Sequence, residues 1–180
     1  IFHIIHEPIP NLWIGAFEVV AVLLFHDAYF YWAHRAMHHP RLYTVFHKLH
    51  HRSVTPTPWA AYAFAAPEAF VEAAVMPLML LVIPLHDFVV FLFMTVMIAR
   101  NVIGHSGYEI FPRWWLNVKG LSWINVNTHH DLHHSTFNYN FGLYFRWWDR
   151  WMGTEHPDYE QRFHDVVSQE KPLVKDGVSP

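Results

Sequence analysis

The sequence contains no cysteine. A disulfide frame, a thiolate metal site and a thiol nucleophile are therefore all excluded. Charge is scarce as well: 15% of the residues are charged, where a soluble domain carries roughly 25%. Lys and Arg are absent before Arg35 and again between Arg52 and Arg100. A net charge of -3 offers nothing to a polyanion, so nucleic acid is not an expected partner. No charged start followed by a small-residue cleavage site marks a signal peptide. No internal repeat is present, although short histidine clusters recur.

In place of charge the chain has apolar residues, 53% of the total, and 17 histidines. Its 180 residues fit one domain. The two stretches free of Lys and Arg are also the apolar ones, the pattern of membrane spans separated by aqueous segments. A helix needs about 20 apolar residues to cross the roughly 30 Å hydrocarbon core. The first span is expected over about 12–33. A second apolar stretch is broken at Pro84-Leu85-His86-Asp87, a turn signal, and gives spans over about 69–84 and 86–103. The first arm of that hairpin is only about 22 Å long at helical rise. Segment 34–52 holds Arg35, Arg41, Lys48 and Arg52, and all other basic residues follow Arg100. Basic residues mark the cytoplasmic side, and a span followed by a hairpin puts both segments on that same face. Trp and Tyr near the span ends suit an interfacial belt. Residues 1–154 are expected to form one membrane catalytic domain, with 155–180 a polar tail.

Three clusters carry the chemistry: His34, His38 and His39; His47, His50 and His51; His130, His133 and His134. On a helix, positions i, i+3 and i+4 share a face, so each cluster can aim two or three imidazoles at one point. Asn101 and His105 repeat the i, i+4 relation. The expected ligands are His34, His38, His47, His50, His51, His105, His130, His133 and His134. Nine imidazoles exceed what one tetrahedral zinc uses and suit two ions of iron, zinc, copper or nickel. His39 and His129 are secondary to these sets. His26 is expected to be buried and hydrogen-bonded, and His3, His6, His86, His156 and His164 to be non-ligands. Ligating histidines usually give their other N–H to a carboxylate or carbonyl, a role open to Asp27, Asn101 and Asp131. Asp149 is expected either at the site or paired with an arginine. Glu68 and Glu72 share a helix face, with roles left open.

Neutral ligands favour a redox-active pair of ions, and two irons can use O₂ to attack an unactivated C–H bond. A membrane metal transporter and a membrane zinc hydrolase are the alternatives. A transporter would place its ligands near mid-bilayer on broken helices, and a zinc hydrolase needs fewer ligands.

The residues His34-x3-His38-His39, His47-Lys-Leu-His50-His51, Gly104-His105-Ser106-Gly107-Tyr108, His130-Asp-Leu-His133-His134, Asn138-Tyr-Asn140-Phe-Gly142 and Trp148-Asp149-Arg150 with Gly153-Thr154 resemble the fatty acid hydroxylase/sterol desaturase superfamily of membrane di-iron enzymes. The resemblance covers about 25–154. It implies an all-α integral-membrane bundle with a cytoplasmic histidine-rich cap holding a di-metal site. It also implies two Fe ions (zinc replacing them on purification) and O₂ as co-substrate. Electrons are expected from a small cytochrome or ferredoxin with its reductase. The implied substrate is a lipid, an acyl chain or sterol-like, with hydroxylation preferred over desaturation. The implied membrane is the bacterial inner membrane, or the endoplasmic reticulum in a eukaryote. Members of the superfamily generally carry more N-terminal membrane helices. Many sterol-acting members have histidine before the proline that opens the second apolar stretch, where this chain has Ala66-Pro67-Glu68.

Overall fold

The computed structural model describes residues 3–169. It is helical: α1 (Leu12–Met37), α2 (Pro40–Phe46), α3 (Ala66–Val82), α4 (Asp87–Gly104), α5 (Asn127–Thr136), α6 (Trp147–Met152) and α7 (Tyr159–Gln169), joined by short 3-10 turns. One two-stranded parallel pair, β1 (Ile4–Ile5) with β2 (Leu85–His86), ties the N-terminus to the α3–α4 turn.

Each long helix starts and stops for a local reason. Asn11 caps α1 by accepting from the Trp13 and Ile14 amides at 3.1 Å, which satisfies two donors that a helix start leaves open. His39 caps α2 in the same way, its Nδ1 accepting from Arg41 N, and Pro40 fills the first helical position, where no N–H is needed. His39 is thus a cap. Pro67 opens α3 by the same rule.

α1, α3 and α4 form a layer around a core of Val22, Met79, Leu80, Leu85, Val89 and Phe93. Their outward faces are apolar too. Trp13 is 81% exposed, Phe17 71% and Phe70 82%, and Val82, Phe88 and Phe91 are likewise exposed. A soluble protein does not display so broad an apolar surface; a bilayer covers one. α1, with 26 residues, and α4, with 18, are long and apolar enough to cross a membrane. α3 has 17 residues, a length of about 25 Å at helical rise. At the β1–β2 end the polar groups turn inward: Glu18 is buried and accepts from His86 N at 3.0 Å and Nδ1 at 2.7 Å.

The opposite end is a polar cap. There α5 and α7 pack through Val126, Leu132, Tyr159 and Phe163. The segment read as a polar tail is, in its described part, a packed helix. Tyr159, Phe163 and Val166 recur at helical spacing and are buried, a pattern that low mean hydropathy hides. Buried Arg146 joins this helix to α6 by bonding Glu155 at 2.6 Å and Glu160 at 2.9 Å.

Candidate metal centre

Every histidine expected to be a ligand is found between the helical layer and the cap. They form two groups: His34, His38, His47, His51 and His133, and His50, His105, His130 and His134. Within each group the ligand atoms all lie within 4.8 Å of one another. α1 supplies His34 and His38 at its last turn. The turn after α2 supplies His47, His50 and His51. His105 caps the end of α4, and α5 carries the other three.

The structure corrects one expectation here. The sequence clusters do not each serve a single point. His47 and His51 join one group while His50 joins the other, and His130 and His134 join one group while His133 joins the other. The reason is angular: consecutive helical residues diverge by about 100°, so an adjacent pair cannot share a target. His50-His51 and His133-His134 therefore straddle the two groups. The groups are contiguous, with the His51 and His134 rings 4.7 Å apart.

The imidazoles meet through Nε2. His34 and His47 approach to 3.0 Å, His38 and His51 to 3.1 Å, and His51 and His133 to 3.0 Å. In the second group His130 and His105 stand 2.9 Å apart, His134 and His130 3.1 Å, and His134 and His105 3.3 Å. Metal–imidazole bonds of about 2.0–2.1 Å set at right angles place neighbouring nitrogens about 3 Å apart. The spacing is that of ligands around an ion.

For five of the nine rings the opposite nitrogen shows that the proton is not at Nε2. His105 Nδ1 donates to Asn101 O at 2.8 Å, and His134 Nδ1 to Ser53 O at 2.9 Å. A carbonyl only accepts, so each neutral ring keeps its proton on Nδ1 and presents a bare lone pair at Nε2. Two lone pairs face each other across 3.3 Å, an arrangement that a cation between them makes favourable. His34 and His133 are fixed likewise by Phe141 O at 2.9 Å and Tyr139 O at 2.7 Å, and His47 by Glu68 Oε1 at 2.6 Å. Burial pushes His105 down to about 4 and His134 down to about 3. His50, His130 and His133 are driven well below the ordinary imidazole range by burial and by their neighbours. Neutral imidazole is the form that binds a metal, and the nine residues fit a pair of ions.

The supporting shell differs in part from the expected one. Asn101 takes part through its backbone carbonyl. Asp131 is buried in α5. Asp27 does not reach a ligand: it accepts from Tyr144 N at 2.9 Å, Phe145 N at 3.2 Å and Trp147 Nε1 at 2.6 Å. It lies on the His34 face of α1, as expected, but two turns of rise carry it to the 144–147 loop. Asp149 bonds no arginine. It accepts from Phe141 N and Gly142 N, both at 2.8 Å, and from Thr154 Oγ1 at 2.7 Å, with His129 Nε2 3.3 Å away. It thereby holds the loop whose Phe141 carbonyl orients His34. Burial raises the Asp149 carboxyl, but His129, Thr154 and the loop amides outweigh this and hold it below the usual carboxylate range. A side chain at Gly142 would meet Phe145 O at 2.6 Å, so the close approach requires glycine there. Phe137 holds a positive φ of 64°, strain that a bulky residue adopts only where its surroundings enforce it.

Glu68 was singled out in the sequence without a role. Its signal was a carboxyl at the start of an apolar helix with no basic partner nearby. Phe141, Tyr139 and Ser53 act through carbonyls that every residue possesses, and no side-chain pattern marks them. His26 behaves as expected, bonding Tyr144 OH at 2.9 Å. Among the described residues, His3, His6, His86, His156 and His164 belong to neither group.

A sequence model of fatty acid hydroxylases matches residues 19–154. A Delta(7)-sterol 5(6)-desaturase of Gibberella zeae is 35% identical over 90% of this chain and 50% of its own length. A lathosterol oxidase of Rattus norvegicus is 38% identical over 82% of the chain and 48% of its own length. A methylsterol monooxygenase of Aspergillus fumigatus is 32% identical over 83% and 51%. The chain thus spans about half the length of the curated relatives it matches. No solved structure matches it.

Proposed function

The chain belongs to the fatty acid hydroxylase family, within the superfamily that includes the sterol desaturases, and we propose on that premise that it is a membrane oxidoreductase using O₂ to oxidise a C–H bond of a lipid. The observation that carries the reading is the pair of contiguous imidazole groups in each of which lone pairs face each other, His34 against His47 and His105 against His134. The nine histidines hold two iron ions, and zinc can replace iron because imidazole accepts both. Iron bound there supplies the activation of O₂ that an unreactive C–H bond demands.

The protein's own groups do the rest. Glu68 and the carbonyls of Ser53, Asn101, Tyr139 and Phe141 lock five imidazoles in one tautomer and orientation, which keeps the site assembled. The helical layer admits lipid and excludes water beside the site. Four electrons reduce O₂ and the C–H bond yields two; a small cytochrome or ferredoxin with its reductase delivers the other two from the aqueous side. The excess of basic residues in segments 34–52 and beyond Arg100 favours the cytoplasm for that side, at a bacterial inner membrane or the endoplasmic reticulum. Three crossings, about 12–33, 69–84 and 86–103, carry the site. Neither a zinc hydrolase nor a transporter accounts for nine ligands gathered beyond the span ends.

Hydroxylation is the preferred outcome, in keeping with the family description and the monooxygenase relative. The desaturase relative favours desaturation as a second reading, since both start by removing one hydrogen. Lipids of a host with and without the gene, grown under ¹⁸O₂, test this. A gene-dependent lipid carrying ¹⁸O supports hydroxylation, and a new unlabelled double bond supports desaturation. Unchanged lipids together with no O₂ uptake by the purified, reduced protein would reject both.

A further inference from the structure

Between α1, α3 and α4, on the span side of the histidines, lies a cavity of about 290 Å³. Its lining is largely apolar, with His26, Tyr62, Glu72 and Asn101 bringing the polar groups. Two of the four have hydrogen-bond partners: His26 Nδ1 bonds Tyr144 OH at 2.9 Å, and Asn101 Nδ2 donates to Ala61 O at 2.9 Å. Of the other two, Glu72 is the one that carries a charge-bearing group. The Glu72 carboxyl receives no hydrogen bond from any described residue. A carboxyl in apolar surroundings is unfavourable without a donor, and within a membrane segment such a group marks function.

Glu72 follows Glu68 by one helical turn, so both face inward, and Glu68 is fixed to His47. Pro77 also removes the helical donor from the carbonyl of Ala73, another residue of the cavity wall. At its other limit the cavity reaches Phe64, whose ring is 5.5 Å from that of His50. There too is Asn101, whose carbonyl holds His105. An apolar chamber thus runs from an unpartnered acceptor to the four-histidine group.

We infer that Glu72 accepts a hydrogen bond from the hydroxyl of an alcohol-bearing lipid in this cavity and thereby sets which carbon faces His50 and His105. A neutral O–H enters apolar surroundings far more readily than an ammonium does, so the ligand is an alcohol. The small chamber places the oxidised carbon within a few bonds of that hydroxyl. The assignment rests on the lipid-oxidising reading of the site, and it names Glu72 as a positioning residue that fixes substrate class.

Binding tests it without turnover. The purified, metal-loaded protein in lipid nanodiscs is titrated with cholesterol and with oleyl alcohol, each beside its methyl ether. At least one alcohol is expected to bind roughly tenfold or more tightly than its ether, the scale of a hydrogen bond to a carboxylate. Preference in the cholesterol pair alone indicates a ring lipid, and in the oleyl pair alone an acyl one. Glu72→Met is expected to abolish the preference while metal content stays unchanged. If that variant loses metal, Glu72→Gln is read in its place, with a several-fold fall in preference expected. Equal binding of alcohol and ether, or a preference unchanged in the variant, overturns the inference. A retained preference in a protein that oxidises no lipid would instead count against the oxygenase reading alone.

Discussion

At His47 a buried carboxylate meets a buried imidazole at 2.6 Å. Such a partner fixes the ring and raises its basicity, and its loss typically weakens a metal site 10–100-fold. Glu68→Leu is therefore expected to lower metal affinity by roughly that factor, measured as metal retained through graded chelation. An unchanged affinity would remove Glu68 from the site. Substituting a ligand goes further. His50→Ala, His51→Ala, His133→Ala or His134→Ala should each abolish turnover, and Asp131→Asn should fall between. His156→Ala and His164→Ala should remain near normal in an assay that supplies O₂, donor and lipid. At this scale the clusters were highly legible, because eight of the nine histidines stand three or four residues from another. The partners were not. Glu68 was visible without its target, and the three loop carbonyls carry no residue code at all. Asp27 misled because sharing a helix face does not mean reaching the same depth.

Among the elements, the loop from Phe137 to Tyr144 does what the sequence could not reveal. Asp149 and Gly142 make a tight cradle whose purpose is to aim the Phe141 carbonyl at His34. A methyl group at Gly142 would collide with backbone at 2.6 Å, which the protein relieves only by moving that loop. Gly142→Ala is expected to lower the thermal midpoint and to release metal together. Full metal content with normal stability would show that the loop does not position His34. The α7 helix makes a separate claim. Phe163 is fully buried against α5, so Phe163→Ala should cost about 3–5 kcal/mol in denaturant titration of the detergent-solubilised protein. A loss below about 0.5 kcal/mol, the range of surface substitutions, would return the segment to the polar tail that its composition suggested. The helices themselves were legible because runs free of Lys and Arg delimit them. The first helix starts at 12 as expected but runs on to Met37, and α3 starts a few residues early because Pro67 opens it through cap geometry rather than hydropathy.

As a whole, the molecule is apolar outside as well as inside along α1, α3 and α4, and polar at one end. The described basic residues gather at the histidine end, while the β1–β2 pair and the Glu18–His86 bond close the other. The three-crossing arrangement predicts a definite topology. Cysteines introduced in 34–52 and at Pro180 should be labelled from the cytoplasm, and one at Leu85 from the opposite side. Labelling of the two basic segments from different sides would break that arrangement. The overall architecture was readable because two crossings, an even number, separate the basic segments and so leave both on one face. Adjacent histidines must part because of the helical angle, but which member of each pair joins which group was not readable, because it depends on how α5 and the turn after α2 are rotated against each other.

The central claim, two ions held by nine imidazoles, is tested most directly by metal analysis combined with X-ray absorption on protein purified from iron-supplemented cells. The account predicts about two metal ions per chain, each surrounded by imidazole nitrogens at about 2.0–2.2 Å, the range of metal–imidazole bonds. It also predicts a second metal in the scattering shell beyond the ligands. A reproducible single ion per chain, with the second histidine group free of metal, would contradict it.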